Sequence, residues 1–217
     1  MKAMARRTDH AERREAFAAA ALRVIMRAGV GGLTVREVAK EAGFTTGALT
    51  HYFRSKDQVL IEASEYSAKL VRPRMERKGR QPEALKALRG VVEEALPISP
   101  TVRGYWRIWF GFWERAAYNP AVASVMRDRY DEWRDRLATL IRRAQEEGAA
   151  PAGFDANLAA QELVALVDGI SIQVLLGTGR ISAARQREII ENWIGLMRAG
   201  HAGHGIRHTT GETRPAR

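Results

Sequence analysis

Along almost its whole length, the apolar residues of this chain recur every three or four positions, and no segment alternates residue by residue as a half-buried strand would. That property restricts the fold to packed helices. Phe17, Ala21, Val24, Ile25 and Ala28 form one stripe, closed by Gly29 just past the expected helix end. Thr34 is placed to cap a short helix over Val35 to Glu41, with Glu37 where a capping box needs it. Ala42-Gly43-Phe44 reads as a turn, Thr45 as the cap of a third short helix, and Ser55 as the cap of a fourth that starts near Lys56. The stretch from Arg72-Pro73 to Arg80 is basic and poor in apolar residues, which predicts a frayed helix end and a linker. Longer helices follow. Pro82 suits the first position of one, Ser99-Pro100 opens the next, and Asn119-Pro120 ends it before a stripe carrying Met126, Tyr130, Trp133 and Leu137. Asp155 and Ser182 are placed to cap the last two. The expected architecture is all-α: a helix-turn-helix head over 1–55 with a basic N-terminal arm, a helical body over 56–200 and a disordered tail over 201–217.

Composition narrows the chemistry. Of 217 residues, 46% are hydrophobic and 28% charged, an ordinary globular balance. The absence of cysteine removes disulfides, thiolate metal sites and cysteine nucleophiles together. Arg6 and Arg7 lead into Asp9 and Glu12 rather than an apolar run, so no signal peptide is expected. The run Leu163 to Leu176 is broken by Asp168, Ser171 and Gln173 and reads as too short and too polar to span a bilayer. A soluble cytoplasmic protein with no membrane partner is therefore expected. Residues 1–89 hold 19 Lys+Arg against 10 Asp+Glu, and residues 90–217 hold 16 against 15, so the net charge of +10 sits almost wholly at the N-terminal side. That side is expected to face a polyanion: nucleic acid first, an anionic membrane surface second, with a merely solvated basic face as the plain alternative.

Residues 34–56, TVREVAKEAGFTTGALTHYFRSK, hold two short helices joined by a glycine turn, the arrangement that presents a second helix to the DNA major groove. Thr34, Val38-Ala39, Ala42-Gly43-Phe44, Thr45-Thr46-Gly47-Ala48-Leu49, Tyr52-Phe53 and Lys56 stand in the order and spacing of the head of the tetracycline-repressor (TetR) family, which the chain resembles over roughly residues 10–60. Phe44 replaces a small aliphatic residue of that pattern, and Thr50 stands where the family often has tyrosine. The resemblance implies a transcriptional regulator that binds double-stranded operator DNA as a homodimer and answers to a small-molecule effector. By position it implies that Thr34 holds a phosphate, that Thr45, Thr46 and Gly47 open the recognition helix, and that Thr46, Ala48 and Thr50 meet base edges. It assigns His51, Tyr52 and Lys56 to phosphates, with packing against the first helix as the alternative for Tyr52; Arg36 joins them on charge. Lys2, Arg6, Arg7, Arg13 and Arg14 are read as an arm along the DNA or as a solvated tail.

Farther on, YWRIWFGFW over 105–113 is the densest aromatic cluster in the chain. Trp106, Trp109, Phe110 and Trp113 share one helical face with Tyr105 about a quarter-turn away, which suits either an aromatic-walled cavity or a filled core. Such walls take flat apolar ligands or, through cation–π attraction, cationic ones. The W-x-x-F-W texture resembles the betaine-regulatory branch of the same family, which responds to choline. Asp168, Gln173 and Glu114 are candidate polar ends for the cavity. The last two helices are apolar over more than one stripe, so a dimer seam is expected at Leu163, Val167, Ile170, Val174, Ile190, Trp193, Ile194 and Met197. Two rivals stand beside this reading: a helical enzyme and a DNA-binding scaffold without ligand. No HExxH, P-loop or GxSxG pattern supports catalysis, and His201, His204 and His208 lie in the Gly-rich tail, so neither metal nor cofactor is expected.

Overall fold

The computed structural model describes residues 2–200, with side chains from His10 onward. These residues form nine helices and no strand: α1 Lys2–Ala28, α2 Val35–Ala42, α3 Thr46–Tyr52, α4 Lys56–Gly79, α5 Ala84–Ala95, α6 Pro100–Ala116, α7 Pro120–Glu146, α8 Ala156–Leu176 and α9 Ala183–Arg198. The expected tail over 201–217 lies outside the described residues.

Most starts are set locally, by a short polar side chain that accepts a bond from an otherwise unpartnered amide. Thr34, Thr45, Ser55, Ser99, Asn119, Asp155 and Ser182 all do this. Gly43 ends α2 in the left-handed region (φ 75°), and the Phe44 amide reaches back to the Ala39 carbonyl at 2.9 Å.

Three expectations change. The backbone from Lys2 is helical, so Arg13 and Arg14 belong to α1 rather than to an arm before it; Arg14 donates to Glu62 on α4 (Nε to Oε1, 2.9 Å). The segment from Arg72 to Gly79 is not a linker, because α4 continues through Pro73. Pro82 precedes α5, whose cap is Glu83. In addition, α8 is 21 residues long and, by length and composition alone, apolar enough to cross a membrane, which the interrupted run understated. In the fold it packs along α7 and buries Leu163, Val164, Val167 and Ile170.

Two cores result. The head core gathers Phe17, Ile25, Leu33, Val38, Leu49 and Phe53 with Val59, Leu60 and Ala63 of α4, and it also takes in Ile108 and Phe112 of α6 and Val122 and Met126 of α7. The body core joins α5, α7, α8 and α9 through Leu88, Val91, Leu137, Ile141, Leu163, Val167, Ile190 and Met197. Helix α6 therefore belongs to both, with Trp106 on the body side and Ile108 and Phe112 on the head side.

The contact of α1 with α6 is close because α6 presents glycine there. A Cβ on Gly111 would stand 2.1 Å from Val30 Cγ2 and 2.7 Å from Val30 Cβ, whereas one on Gly104 would meet chiefly the Met26 terminal methyl at 2.4 Å. The Met26 methyl can swing aside; Val30 is branched at Cβ, which is itself in the clash, and cannot. Gly111→Ala is expected to destabilise the protein by ~1–3 kcal/mol, with Gly104→Ala costing well under half of that. Thermal unfolding of the two variants side by side checks this, and equal losses would refute the account.

Candidate DNA-reading surface and aromatic pocket

The reading surface is built by hydroxyl caps. Thr34 Oγ1 accepts from the Glu37 amide at 3.1 Å and Thr45 Oγ1 from the Ala48 amide at 3.2 Å. In each case the cap uses an acceptor lone pair and leaves the O–H proton to donate outward, the polarity a phosphate oxygen requires. Thr50 has the opposite polarity: its hydroxyl donates to the Gly47 carbonyl at 3.0 Å, so toward a base edge it is left as an acceptor.

Thr34, Arg36, Thr45, Thr46, Gly47, Thr50, His51 and Lys56 are all exposed. Ala48 is half-buried against the head core and is a packing residue more than a surface one. Tyr52 is also half-buried, its ring 4.5 Å from His10 and 5.4 Å from Phe17, so the packing alternative holds for its ring. Phe44, the departure from the usual aliphatic residue, rests on Phe17 at 5.1 Å. Not all of the N-terminal positive charge is available for a polyanion: Arg23 and Arg27 bind Glu41 at 2.7 and 3.1 Å and Arg14 binds Glu62, pinning α1 to α2 and α4.

On its other side α6 walls a half-open cavity of about 180 Å³ lined also by α4, α5, α7 and α8. Tyr105, Trp106, Trp109, Trp113 and Asp168 all line it, so the cluster at 105–113 walls a cavity on this side while Trp106, Ile108 and Phe112 also pack into the two cores. Two candidates lie elsewhere. Phe110 is 44% exposed and lines a separate hollow on the opposite side of α6 with Glu114, and Gln173 is exposed and touches neither space. Tyr130 and Trp133, which periodicity places on one helical stripe, complete the box together with Met75 and Glu94. The usable signal for them was Asp168, a carboxylate inside an apolar helix that needs a donor facing it.

That donor is Tyr130. Trp113 Nε1 donates to the Tyr130 hydroxyl at 3.0 Å, and the hydroxyl donates to Asp168 Oδ2 at 2.6 Å. Trp106 Nε1 donates to the Ala95 carbonyl at 2.7 Å. These polar ends are therefore satisfied within the wall, and what the box offers inward is ring faces, with Trp106 and Trp113 5.9 Å apart and tilted. Burial pushes the Asp168 carboxyl up to about 6, partly opposed by the bond from Tyr130, and burial with that same bond raises the Tyr130 phenol above its ordinary value.

The head is latched to this wall. Arg115, at the end of α6, grips Asp57 in the first turn of α4 through two bonds of 2.8 and 2.7 Å, and Asn119 adds a third at 2.8 Å. The guanidinium partner holds the Asp57 carboxyl below its usual value. Arg107 donates to the Met26 carbonyl at 2.8 Å.

Six residues expected at a dimer seam, Leu163, Val167, Ile170, Ile190, Ile194 and Met197, are at most 4% exposed in the single chain. They are core residues, which corrects that placement; Val174 and Trp193 are half-buried. The faces of α8 and α9 left open instead carry Leu166, Gly169, Ile172 and Leu176, and Ile189, Trp193 and Leu196, with Leu176 58% and Leu196 53% exposed. Among the described residues no group of three or more His, Asp or Glu is arranged to hold a metal, and the three tail histidines lie outside them.

Residues 18–63 match the pattern of bacterial regulatory proteins of the tetR family, and residues 84–198 match the C-terminal domain of BetI-type transcriptional repressors. The chain is 30% identical over 194 residues to the HTH-type transcriptional regulator PksA of Bacillus subtilis, covering 86% of this chain and 90% of that one. It is 27% identical to the regulator BetI of Stenotrophomonas maltophilia, over 84% of this chain and 91% of the relative. A transcriptional regulator from Saccharomonospora viridis, solved in complex with choline, superposes with a TM-score of 0.78 at 30% identity, covering 85% of this chain and 96% of the other.

Proposed function

Because the chain belongs to the tetR family of bacterial regulatory proteins, with a BetI-type C-terminal domain, we propose that it is a homodimeric cytoplasmic repressor released from a palindromic operator by a small organic cation. The single observation that carries this reading is the double role of α6. One face walls the aromatic cavity with Trp106, Trp109 and Trp113, and the other seats the head through Gly104, Ile108, Gly111 and Arg115. A ligand that favours one position of that wall favours one angle of the head, and an operator rejects the other angle.

The ligand class follows from the lining. The faces of Trp106, Trp113 and Tyr130, whose polar ends are already satisfied, attract beside a carboxylate a cation that carries no donors of its own, such as a quaternary ammonium. The choline in the Saccharomonospora structure is consistent with that class. Two-fold pairing through the open faces of α8 and α9 gives two heads set for half-sites ~34–36 Å apart or a multiple of it. Thr34, Arg36, Thr45, His51 and Lys56 hold phosphates, and Thr46 and Thr50 meet base edges.

The test is a binding titration by fluorescence anisotropy with an inverted-repeat duplex drawn from the DNA upstream of the coding sequence. Affinity is expected to fall about tenfold per tenfold rise in salt for each phosphate neutralised, and choline is expected to weaken it. Binding that ignores both salt and scrambling of the duplex would overturn the DNA-binding half, and operator binding unchanged at saturating choline would overturn the ligand half.

A further inference from the structure

We infer that a cationic effector and a proton compete for the Asp168 carboxylate, so that wherever that carboxylate is protonated in the empty box, effector binding releases the proton and the response is gated by pH. The inference rests on the reading of the aromatic box as a cation site, and adds to it a thermodynamic partner that the ligand must displace.

Most of the charges around the box already have partners. Helix α4 contributes Arg72, which pairs with Glu132 of α7 at 3.5 Å. Arg129 of α7 also pairs with Glu132, at 3.4 Å, and with Glu65 of α4. Glu94 of α5 is held by Arg74 at 2.6 Å. Arg136 of α7 reaches the cavity wall, and α6 contributes only Tyr105 as a titratable group. Glu94 and Glu132 are therefore each matched by an arginine. Asp168 is not: its polar partner is the Tyr130 hydroxyl, and the nearby cations, Arg136 on the same cavity wall and Arg134 at 5.9 Å from the Tyr130 ring, form no ion pair with it.

Nor can the neighbouring groups take over its role. The Tyr130 hydroxyl has one proton, which goes to Asp168, and it accepts from Trp113; both indole N–H groups of Trp106 and Trp113 are engaged. Asp168 is thus the one carboxylate of the lining still lacking a positive partner. In the empty box the cheapest way to neutralise it is to protonate it, which is what burial favours. A quaternary ammonium against the surrounding rings supplies the missing charge directly and favours the ionised form.

The sign of the pH effect follows. The empty box holds its carboxyl at about 6, above the ordinary carboxylate value. Below that pH a cation must expel a proton to bind, and its apparent affinity falls by about tenfold per pH unit; above it the affinity is flat. The hydrogen bond from Tyr130 favours the ionised form, so removing that hydroxyl is expected to move the midpoint to higher pH.

The experiment is isothermal titration of the full chain with choline chloride from about pH 5 to about pH 8, in buffers of different ionisation enthalpy so that the released proton is read directly. Wild type is expected to weaken about tenfold per unit below the midpoint and to release close to one proton per ligand there. Asp168→Asn is expected to weaken choline binding above the midpoint and to abolish the slope. Tyr130→Phe, a smaller change, is expected to keep the slope and displace its midpoint upward, which a purely structural role for Tyr130 would not do. The uncharged isostere 3,3-dimethylbutan-1-ol is expected to show no gain in affinity with rising pH. Choline affinity that is the same at both ends of the range, or a slope that survives in Asp168→Asn, would overturn the proton linkage while leaving the cation site standing. No choline binding at any pH would overturn the cation site itself, and the linkage with it.

Discussion

Replacing Ile170 with aspartate is expected to leave no folded protein, whereas the same charge placed at Leu196 is expected to leave a folded monomer. Ile170 is 3% exposed and lies in the body core with Leu163 and Val167. An unpaired carboxylate there costs several kcal/mol, a large part of the ~5–15 kcal/mol by which a domain is usually stable. Leu196 is 53% exposed on the open side of α9, next to Trp193 and Ile189. A charge at that position meets water in the single chain and is buried only where a second copy covers it. Circular dichroism and sedimentation at micromolar concentration separate the two outcomes. Leu196→Asp is expected to melt close to wild type, sediment at half the mass, and lose most of its operator affinity, because one head makes half of the contacts. A cooperatively folding Ile170→Asp protein would remove Ile170 from the core. A Leu196→Asp protein that remains dimeric with full operator affinity would move the seam to another surface.

The second large effect is expected at Gly47, where folding and DNA binding should part company. A Cβ there would find only Thr45 Oγ1, at 3.9 Å, so the free protein has room for a side chain. Gly47→Leu is expected to fold normally and to gain up to ~1 kcal/mol from better helix propensity within α3. If α3 is the element pressed into the major groove, the added isobutyl group stands between backbone and duplex. Operator affinity is then expected to fall at least ~100-fold, about 3 kcal/mol. Lys56→Ala provides the contrast, with a modest and equal loss on operator and scrambled duplexes, since a phosphate contact positions without specifying. Wild-type operator affinity in Gly47→Leu would show that another surface meets the bases.

Where the local signals point away from the fold, an identifiable physical effect prevails. Pro73 was expected to end α4, since proline inside a helix costs ~3 kcal/mol. The helix continues because its two ends are fixed in different cores, Val59, Leu60 and Ala63 in the head's and Met75 against the body's. The carbonyl that Pro73 leaves without a partner belongs to Lys69, and both residues are exposed, so water can bond it. Similarly, Phe110 shares a helical stripe with Trp106 and Trp113, but the head takes up the side of α6 that begins there, and the ring falls outside the box.

What the sequence determined by itself was everything that depends on neighbours within a turn or two. The caps at Thr34, Thr45, Ser55, Ser99, Asp155 and Ser182 act over two or three residues, and the head's motif is a run of such local choices, so both were legible as written, whereas Asn119, legible only as an end of α6, also caps α7. The tertiary structure alone decided which apolar stripe faces inward. Helix α8 has two apolar faces, one with Leu163, Val167 and Ile170 and one with Leu166, Ile172 and Leu176. Burial of hydrocarbon is non-directional, so neither face is preferred until α7 arrives against one of them. The same holds for the partnership of Trp113, Tyr130 and Asp168: it joins three helices, spans 55 residues of sequence, and exists only because α6, α7 and α8 meet around one cavity.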